Sequence, residues 1–290
     1  MWSVLADSLL DTLKVFPFLF LIYILIEVLE HRTTLVQNRK ILQGKLAPLI
    51  GSATGIIPQC GFSVMAAKLY DSGLIRTGTI AAVFIATSDE ALIIMISNPG
   101  AAAFVMPLIL IKLIVAVGAG YLINFLYSAE KLTETGLITD APAQFCCDEH
   151  GKQSDIEIYF VSPLLHTLKI AFYIFIVNFV FGAIFFEVGE DAFASAMMGG
   201  KFIEPLITAL IGLIPNCASS AILTETFIKG GICFGSLVGG LCSNAGLGLV
   251  VLFKNRARLK RNIVLVIGLY VVAVAAGLAV NGIMTLLNLV

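Results

Sequence analysis

Charge is what this sequence has least of. Only 13% of its 290 residues are Asp, Glu, Lys or Arg, where soluble globular domains carry about 25%. The shortage excludes a soluble enzyme or binding module with a fully wetted surface. The 18 cations and 19 anions nearly cancel, and no basic patch interleaved with aromatics suggests nucleic acid. Catalytic signatures are also missing: there is no phosphate-cradling P-loop, no Gly-x-Ser-x-Gly and no His-Glu-x-x-His. No enzyme activity and no cofactor are therefore expected, and ATP-driven work would need another subunit. Asp7 and Asp11 precede the first apolar run, and no small-residue cleavage site follows it, so that run does not read as a signal peptide. Four of the six cysteines (Cys60, Cys217, Cys233 and Cys242, but not Cys146 and Cys147) lie in or beside apolar segments, which excludes a secreted disulfide framework.

What is present is hydrocarbon-like. Hydrophobic residues make up 59% of the chain and the mean hydropathy is +0.99, so the expected class is an all-α polytopic membrane protein. Two stretches organise it: Ile57-Pro58-Gln59-Cys60-Gly61-Phe62-Ser63 and Ile214-Pro215-Asn216-Cys217-Ala218-Ser219-Ser220, each inside an apolar run. Proline removes a backbone donor and breaks a helix. In hydrocarbon the freed backbone groups must be satisfied inside protein or in a wet cavity. Paired helix breaks in corresponding halves point to a transporter's binding site. Two kinked helices that merely look alike are the plainer reading, but the likeness extends well beyond the motif.

At a fixed offset of 157, Pro48-Leu49-Ile50 matches Pro205-Leu206-Ile207, and Gly55, Gly73, Gly78, Gly120 and Asn124 match Gly212, Gly230, Gly235, Gly277 and Asn281. Such repeats decide the fold. They divide the chain into a first repeat over 1–127, a cytoplasmic linker loop over 128–157 and a second repeat over 158–290. About 12 apolar residues flank each Pro-Cys motif, too few for two spans of about 20 residues. Each stretch is one broken span or a re-entrant hairpin. Further spans are expected over 78–97, 101–126 (interrupted by Lys112), 232–253 and 263–287. Lys and Arg concentrate in 32–45 and 254–261, whereas the repeat-mates of those stretches are Glu-rich (187–204) and uncharged (97–104). Cytoplasmic ends carry the Lys and Arg, so the two repeats are expected to be inverted. Parallel repeats, with one broken span per half, are the rival arrangement.

With both motifs in view, the chain resembles a family of bacterial permeases described as arsenic-efflux or heavy-metal exporters with ten transmembrane segments. Gly55-Ile-Ile-Pro58-Gln59-Cys60-Gly-Phe-Ser63 and Gly212-Leu-Ile-Pro215-Asn216-Cys217-Ala-Ser-Ser220 look like its two signature stretches. The run Ser236 to Phe253, including Gly239-Gly240-Leu241-Cys242-Ser243-Asn244-Ala245-Gly246, is similar as well. The resemblance implies a multi-pass protein of the bacterial inner membrane and a metal or metalloid cargo. Arsenite, organic arsenicals and divalent ions such as Mn²⁺ all fit that description.

The residues themselves suggest where chemistry sits. If the halves pack about a two-fold axis, Gln59, Cys60, Ser63, Asn216, Cys217, Ser219, Ser220 and Asn244 converge as a substrate site. Soft thiolates favour thiophilic ions and hard oxygens favour Mn²⁺ or Mg²⁺, and the mixture leaves both open. The two cysteines also suit plain packing. Asp89 and Glu90 lie inside a span, where an ionisable group is a functional hypothesis by default. Asp89 is the candidate proton-coupling and metal-binding carboxylate, or else an ion-pair partner of Lys68 or Lys112. Lys68 and Glu225 are repeat-mates and candidate partners of each other. Glu27, Glu30 and His31, like Glu187, Glu190 and Asp191, share one helix face. They are candidate cation vestibules or ordinary polar helix ends. Cys146, Cys147 and His150 offer metal ligands on the linker, where a solvated loop is the alternative.

The sequence thus predicts a secondary-active transporter working by alternating access, with the bilayer as solvent, a metal or metalloid ion as cargo, protons as the candidate coupling ion and a homo-oligomer left open. A transporter of a small organic anion or amino acid is the nearest alternative, with helix N-termini holding a carboxylate. An intramembrane thiol-redox protein using Cys60 and Cys217 is the alternative of another class.

Overall fold

The computed structural model describes residues 44–57, 60–88, 91–127, 202–254 and 259–287, with isolated helical positions between 9 and 20 and between 164 and 180. The described residues are helical, without strands. In the first half α1 is Ala47–Gly55, α2 Cys60–Asp71, α3 Thr77–Ala86, α4 Ala91–Ser97 and α5 Val105–Leu126. In the second half α6 is Glu204–Gly212, α7 Cys217–Ile228, α8 Phe234–Ser243, α9 Leu247–Lys254 and α10 Leu259–Leu286. The bounds of α1, α2 and α3 recur in α6, α7 and α8 at the offset of 157 residues.

Matched local signals set these boundaries. Pro48 and Pro205 stand in the first turns of α1 and α6, where a missing N–H costs nothing. Gly73 and Gly230 follow α2 and α7 with φ of 72° and 75°. At each, a 6→1 bond closes the helix end, from Leu74 N to Leu69 O and from Gly231 N to Thr226 O.

Packing contacts fix the direction of each helix. A Cβ on Gly51 would meet Thr79 and Val83, and one on Gly55 would meet Val83, Ala86 and Thr87. Helix α1 therefore runs parallel to α3. Tyr70 in α2 lies 3.3 Å from Thr77 at the start of α3, so α2 runs back along α3. Helices α1 and α2 thus run antiparallel, as a helix hairpin. The second half repeats this. Glu204 accepts hydrogen bonds from Cys233 N and Ser236 Oγ, while Ser243 Oγ donates to Ala209 O, so α6 parallels α8. Phe227 lies 5.8 Å from Phe234, and α7 returns. Nine and twelve residues give helices of about 14 and 18 Å, roughly half the depth of a 30 Å hydrocarbon layer.

Four described segments are long and apolar enough to cross a membrane: Thr77–Ser97, Ala102–Leu126, Phe234–Lys254 and Leu259–Leu286. The first and third are 81% and 89% buried, the second and fourth only 28% and 33%. The unbroken α5 and α10 form the rim and expose Ile114, Phe125, Ile267 and Val271. The α3–α4 and α8–α9 spans form the interior. These two were expected to be continuous. Each is interrupted at its middle, at Thr87-Ser88 and at Asn244-Ala245-Gly246. Asn244 Oδ1 accepts a hydrogen bond from Gly246 N, and Gly246 has φ +53°, a conformation that other residues avoid. Sequence reading missed these breaks because neither contains proline.

Candidate functional site at the crossing of four interrupted segments

The two ends of the molecule are chemically distinct. At one, the Arg261 guanidinium donates to Thr77 Oγ1 at 3.0 Å and lies 4.6 Å from the Tyr70 ring centre. Gly78 N donates to Asn124 Oδ1 at 2.9 Å. At the other, Phe104, Phe227 and Phe234 pack with ring centres 5.3 to 5.8 Å apart, and Asn281 Nδ2 donates to Ser236 Oγ at 3.2 Å. Hence α2, α3 and the end of α5 meet at the Arg261 end. Their repeat-mates α7, α8 and the end of α10 meet at the Phe104 end. The first hairpin and α3 reach the middle from one side, and the second hairpin and α8 reach it from the other.

Past its break, each interior span packs on the opposite half. Helix α9 lies against α2, and α4 against α7. A Cβ on Gly248 would meet Phe84 and the Ser63 carbonyl, so the start of α9 touches the motif helix α2 directly. Reciprocal pairing brings both hairpins and both breaks into one central region.

Lys112 stands in that region, on the unbroken α5. It is 1% exposed and one of the largest fully buried side chains. Its Nζ donates to the carbonyl of Thr87, at the first break, and to the carbonyl of Leu241 at 2.8 Å, in the last turn of α8. A single ammonium thus binds both interrupted spans. Sequence reading registered Lys112 only as an interruption of a span or a partner for Asp89. The missed signal was its repeat-mate, Leu269, which is apolar and fully buried.

Around the crossing, polar side chains are buried without bulk water. Ser63 is 0% exposed, and Ser219, Ser220 and Asn244 are buried with it. Asn216 caps α7, its Oδ1 accepting from Ala218 N at 3.1 Å. Ser219 Oγ lies 2.7 Å from Asn216 O and 3.2 Å from Ile214 O, its one proton shared between them, so this hydroxyl ties the second hairpin tip. Thr87 Oγ1 donates to Val83 O at the first break. Half-helices also aim their ends here: α2 and α7 begin, and α3 and α8 finish, at the same depth. Partial positive and negative charges at helix ends are thereby brought close together.

The chain's resemblance can now be tested. Residues 1–198 match the family described as "Putative, 10TM heavy-metal exporter". The chain belongs to that family. No curated protein and no solved structure matches it significantly. The matched segment contains the first signature stretch, its hairpin, the first break and Lys112, whereas the second signature lies beyond it. Family membership makes the protein a multi-pass membrane protein of a transporter family.

The expected site residues are only partly brought together. Ser63, Asn216, Ser219, Ser220 and Asn244 lie in the central region. Cys60 and Cys217 begin α2 and α7 at the two hairpin tips, which places their backbones there, while their thiols are outside the described atoms. Gln59, Asp89 and Glu90 fall outside the described residues, as do Glu27, Glu30, His31, Cys146, Cys147, His150, Glu187, Glu190 and Asp191. Among the described residues no group of three His, Cys, Asp or Glu side chains forms a metal site. The suggested pairing of Lys68 with Glu225 is not made. Lys68 is in the last turn of α2, towards the Arg261 end. Glu225 is in α7 towards the other end and pairs with Lys229 at 3.7 Å. These two repeat-mates therefore lie towards opposite ends of the described helices.

Proposed function

We propose that the protein is a secondary-active exporter of a metal or metalloid ion, built from inverted repeats over 1–127 and 158–290 and working by alternating access. What supports this reading is the meeting of two helix hairpins with two interrupted spans in one central region of the described residues. Broken helices at the junction of inverted repeats are how secondary transporters build a substrate site inside hydrocarbon. Opposite running directions of α5 and α10, inferred from the Asn124 and Asn281 contacts, support inversion. Orientation follows from charge. Lys45, Lys68, Asp71, Arg76, Lys254, Lys260 and Arg261 belong to the Arg261 half, and Glu204, Glu225 and Lys229 to the other, among the described residues. The cation-rich end is the cytoplasmic one. Segment 128–157 follows α5 from that end and is a cytoplasmic linker.

In this reading Gln59, Cys60, Ser63, Asn216, Cys217 and Ser220 line the cargo site. Ser219 and Asn244 shape the backbone around it, and Asp89 carries the coupling proton. The mixed donor set allows a thiophilic metalloid or a harder divalent ion. The test is flux into inside-out vesicles or proteoliposomes for a panel of arsenite, Mn²⁺ and other divalent ions, with and without an imposed proton gradient. Uptake of one of these that collapses with the gradient supports the reading. No uptake of any of them, or gradient-independent equilibration alone, refutes it. Uptake of a small carboxylate instead would assign the positive ends of α2 and α7 to an organic anion.

A further inference from the structure

Lys112 has a role that the exporter reading leaves unassigned. Its ammonium sits where the carboxyl-terminal ends of α3 and α8 come together from opposite sides. Each end presents carbonyls with no partner inside its own helix, because the last four C=O groups of a helix have none. Each also carries the negative end of the helix dipole. Two such ends facing each other in a low-dielectric interior repel, and their carbonyls lack water. A cation between them resolves both problems, and secondary transporters commonly place Na⁺ against unwound carbonyls and half-helix C-termini. Here the Lys112 Nζ takes that position, donating to Thr87 O on one side and to Leu241 O on the other. Among the described residues, neighbouring hydroxyls and amides bond locally: Thr87 Oγ1 to Val83 O, Ser243 Oγ to Ala209 O and Gly240 O, and Asn244 Oδ1 to Gly246 N.

The repeat symmetry supports the same conclusion from another direction. The mate of Lys112 is Leu269, 0% exposed in the packed core. A symmetric ancestor-like arrangement would place either two cations or none at the crossing. One lysine reaching both breaks is the asymmetric solution, and it uses a single side chain from α5 for both halves. Because α5 is unbroken along its 22 residues, it is a rigid post from which that ammonium is held.

We propose that the crossing of α3 and α8 is an alkali-cation-type site occupied by the protein's own Lys112 ammonium, which ties the two interrupted spans together and removes the need for Na⁺ there. Removing the side chain to the β-carbon then uncovers a site that a free monovalent cation fills. The consequence is read from stability rather than transport, so the proposal stands or falls apart from the exporter reading.

The experiment uses the full-length purified protein in detergent, with thermal unfolding measured in NaCl, choline chloride and ethylammonium chloride at equal ionic strength. Wild type should unfold at the same temperature in all three salts. Lys112→Ala should unfold well below wild type in choline and regain at least half of that loss in sodium or ethylammonium, with a saturable concentration dependence. Lys112→Met, which refills the volume with an apolar chain, should show no recovery. Should Lys112→Ala fail to purify in choline, purification in sodium or ethylammonium is the same test, and failure in all three salts overturns the proposal. Equal responses of Lys112→Ala to choline and to the small cations, or an equal sodium response of wild type, overturn it as well. Leu269→Ala serves as the cavity control: a salt-specific recovery there would show that the effect belongs to cavities in general and refute the site.

Discussion

Gly248→Ala is the sharpest probe of how the halves hold each other. Gly248 is the second residue of α9, and an added Cβ would sit 2.7 Å from Phe84 Cε1 and 2.8 Å from the Ser63 carbonyl oxygen. Ordinary contacts lie near 3.5 Å, so the surroundings must yield by about 0.7 Å. Neither neighbour is free to do so. The Phe84 ring is 0% exposed in the core, and the other atom is backbone of α2. Overpacking of this kind costs about 1–3 kcal/mol. For a chain of this size that lowers the unfolding temperature by about 2–12 °C. The control is Gly268→Ala, where an added Cβ meets nothing within 4 Å. There the gain in helix propensity, up to about 1 kcal/mol, should leave stability unchanged or slightly raised. Paired thermal scans of the two purified variants decide the matter. If Gly248→Ala unfolds at or above the temperature of Gly268→Ala, the close approach of α9 to α2 is not a feature of the folded protein, and the reciprocal packing argument fails with it.

Four further outcomes are expected. Asp89→Asn should reach the membrane and lose gradient-driven flux, and an unchanged pH dependence of transport would remove it as the coupling group. Cys60→Ser and Cys217→Ser should each weaken binding of a thiophilic cargo sharply, with the double variant little worse than either single one, whereas equal arsenite affinity by calorimetry across the set would eliminate a thiol site. Asn124→Ala strips the Gly78 amide of its acceptor and should cost about 1–3 kcal/mol, with a stability loss in denaturation scans that Asn124→Asp largely avoids. Cysteines introduced at 45 and 229 should be labelled by an impermeant maleimide from opposite faces of the membrane, and labelling of both from one face would contradict the inverted arrangement.

Much of this protein was legible in one dimension. Scarcity of charge and the length of the apolar runs dictate membrane helices, because hydrocarbon accepts only segments whose backbone bonds to itself. The internal repeat was readable because Pro48, Gly55, Gly73 and Gly78 have mates at one offset, and each performs a backbone task that few other residues perform. The helix start at Pro48 and the left-handed cap at Gly73 are local tasks, while Gly55 and Gly78 serve close approaches to other helices. The local pair shows in sequence before any tertiary contact forms; the glycines of close approach show only as a repeat of the residue type.

Only the tertiary structure decided the rest. The relative direction of the helices around each Pro-Cys motif depends on their neighbours, and the contacts of Gly51, Gly55 and Tyr70 with α3 set α1 and α2 antiparallel. The breaks at Thr87-Ser88 and Asn244-Gly246 carry no proline. Beside them, the carbonyls of Thr87 and Leu241 find a partner supplied from elsewhere in the chain, the Lys112 ammonium. A lysine in an apolar run announces a cost but not the groups that offset it. Those groups, Thr87 and Leu241, stand 25 and 129 residues away, and such distances along the chain become contacts only when the two halves fold into each other.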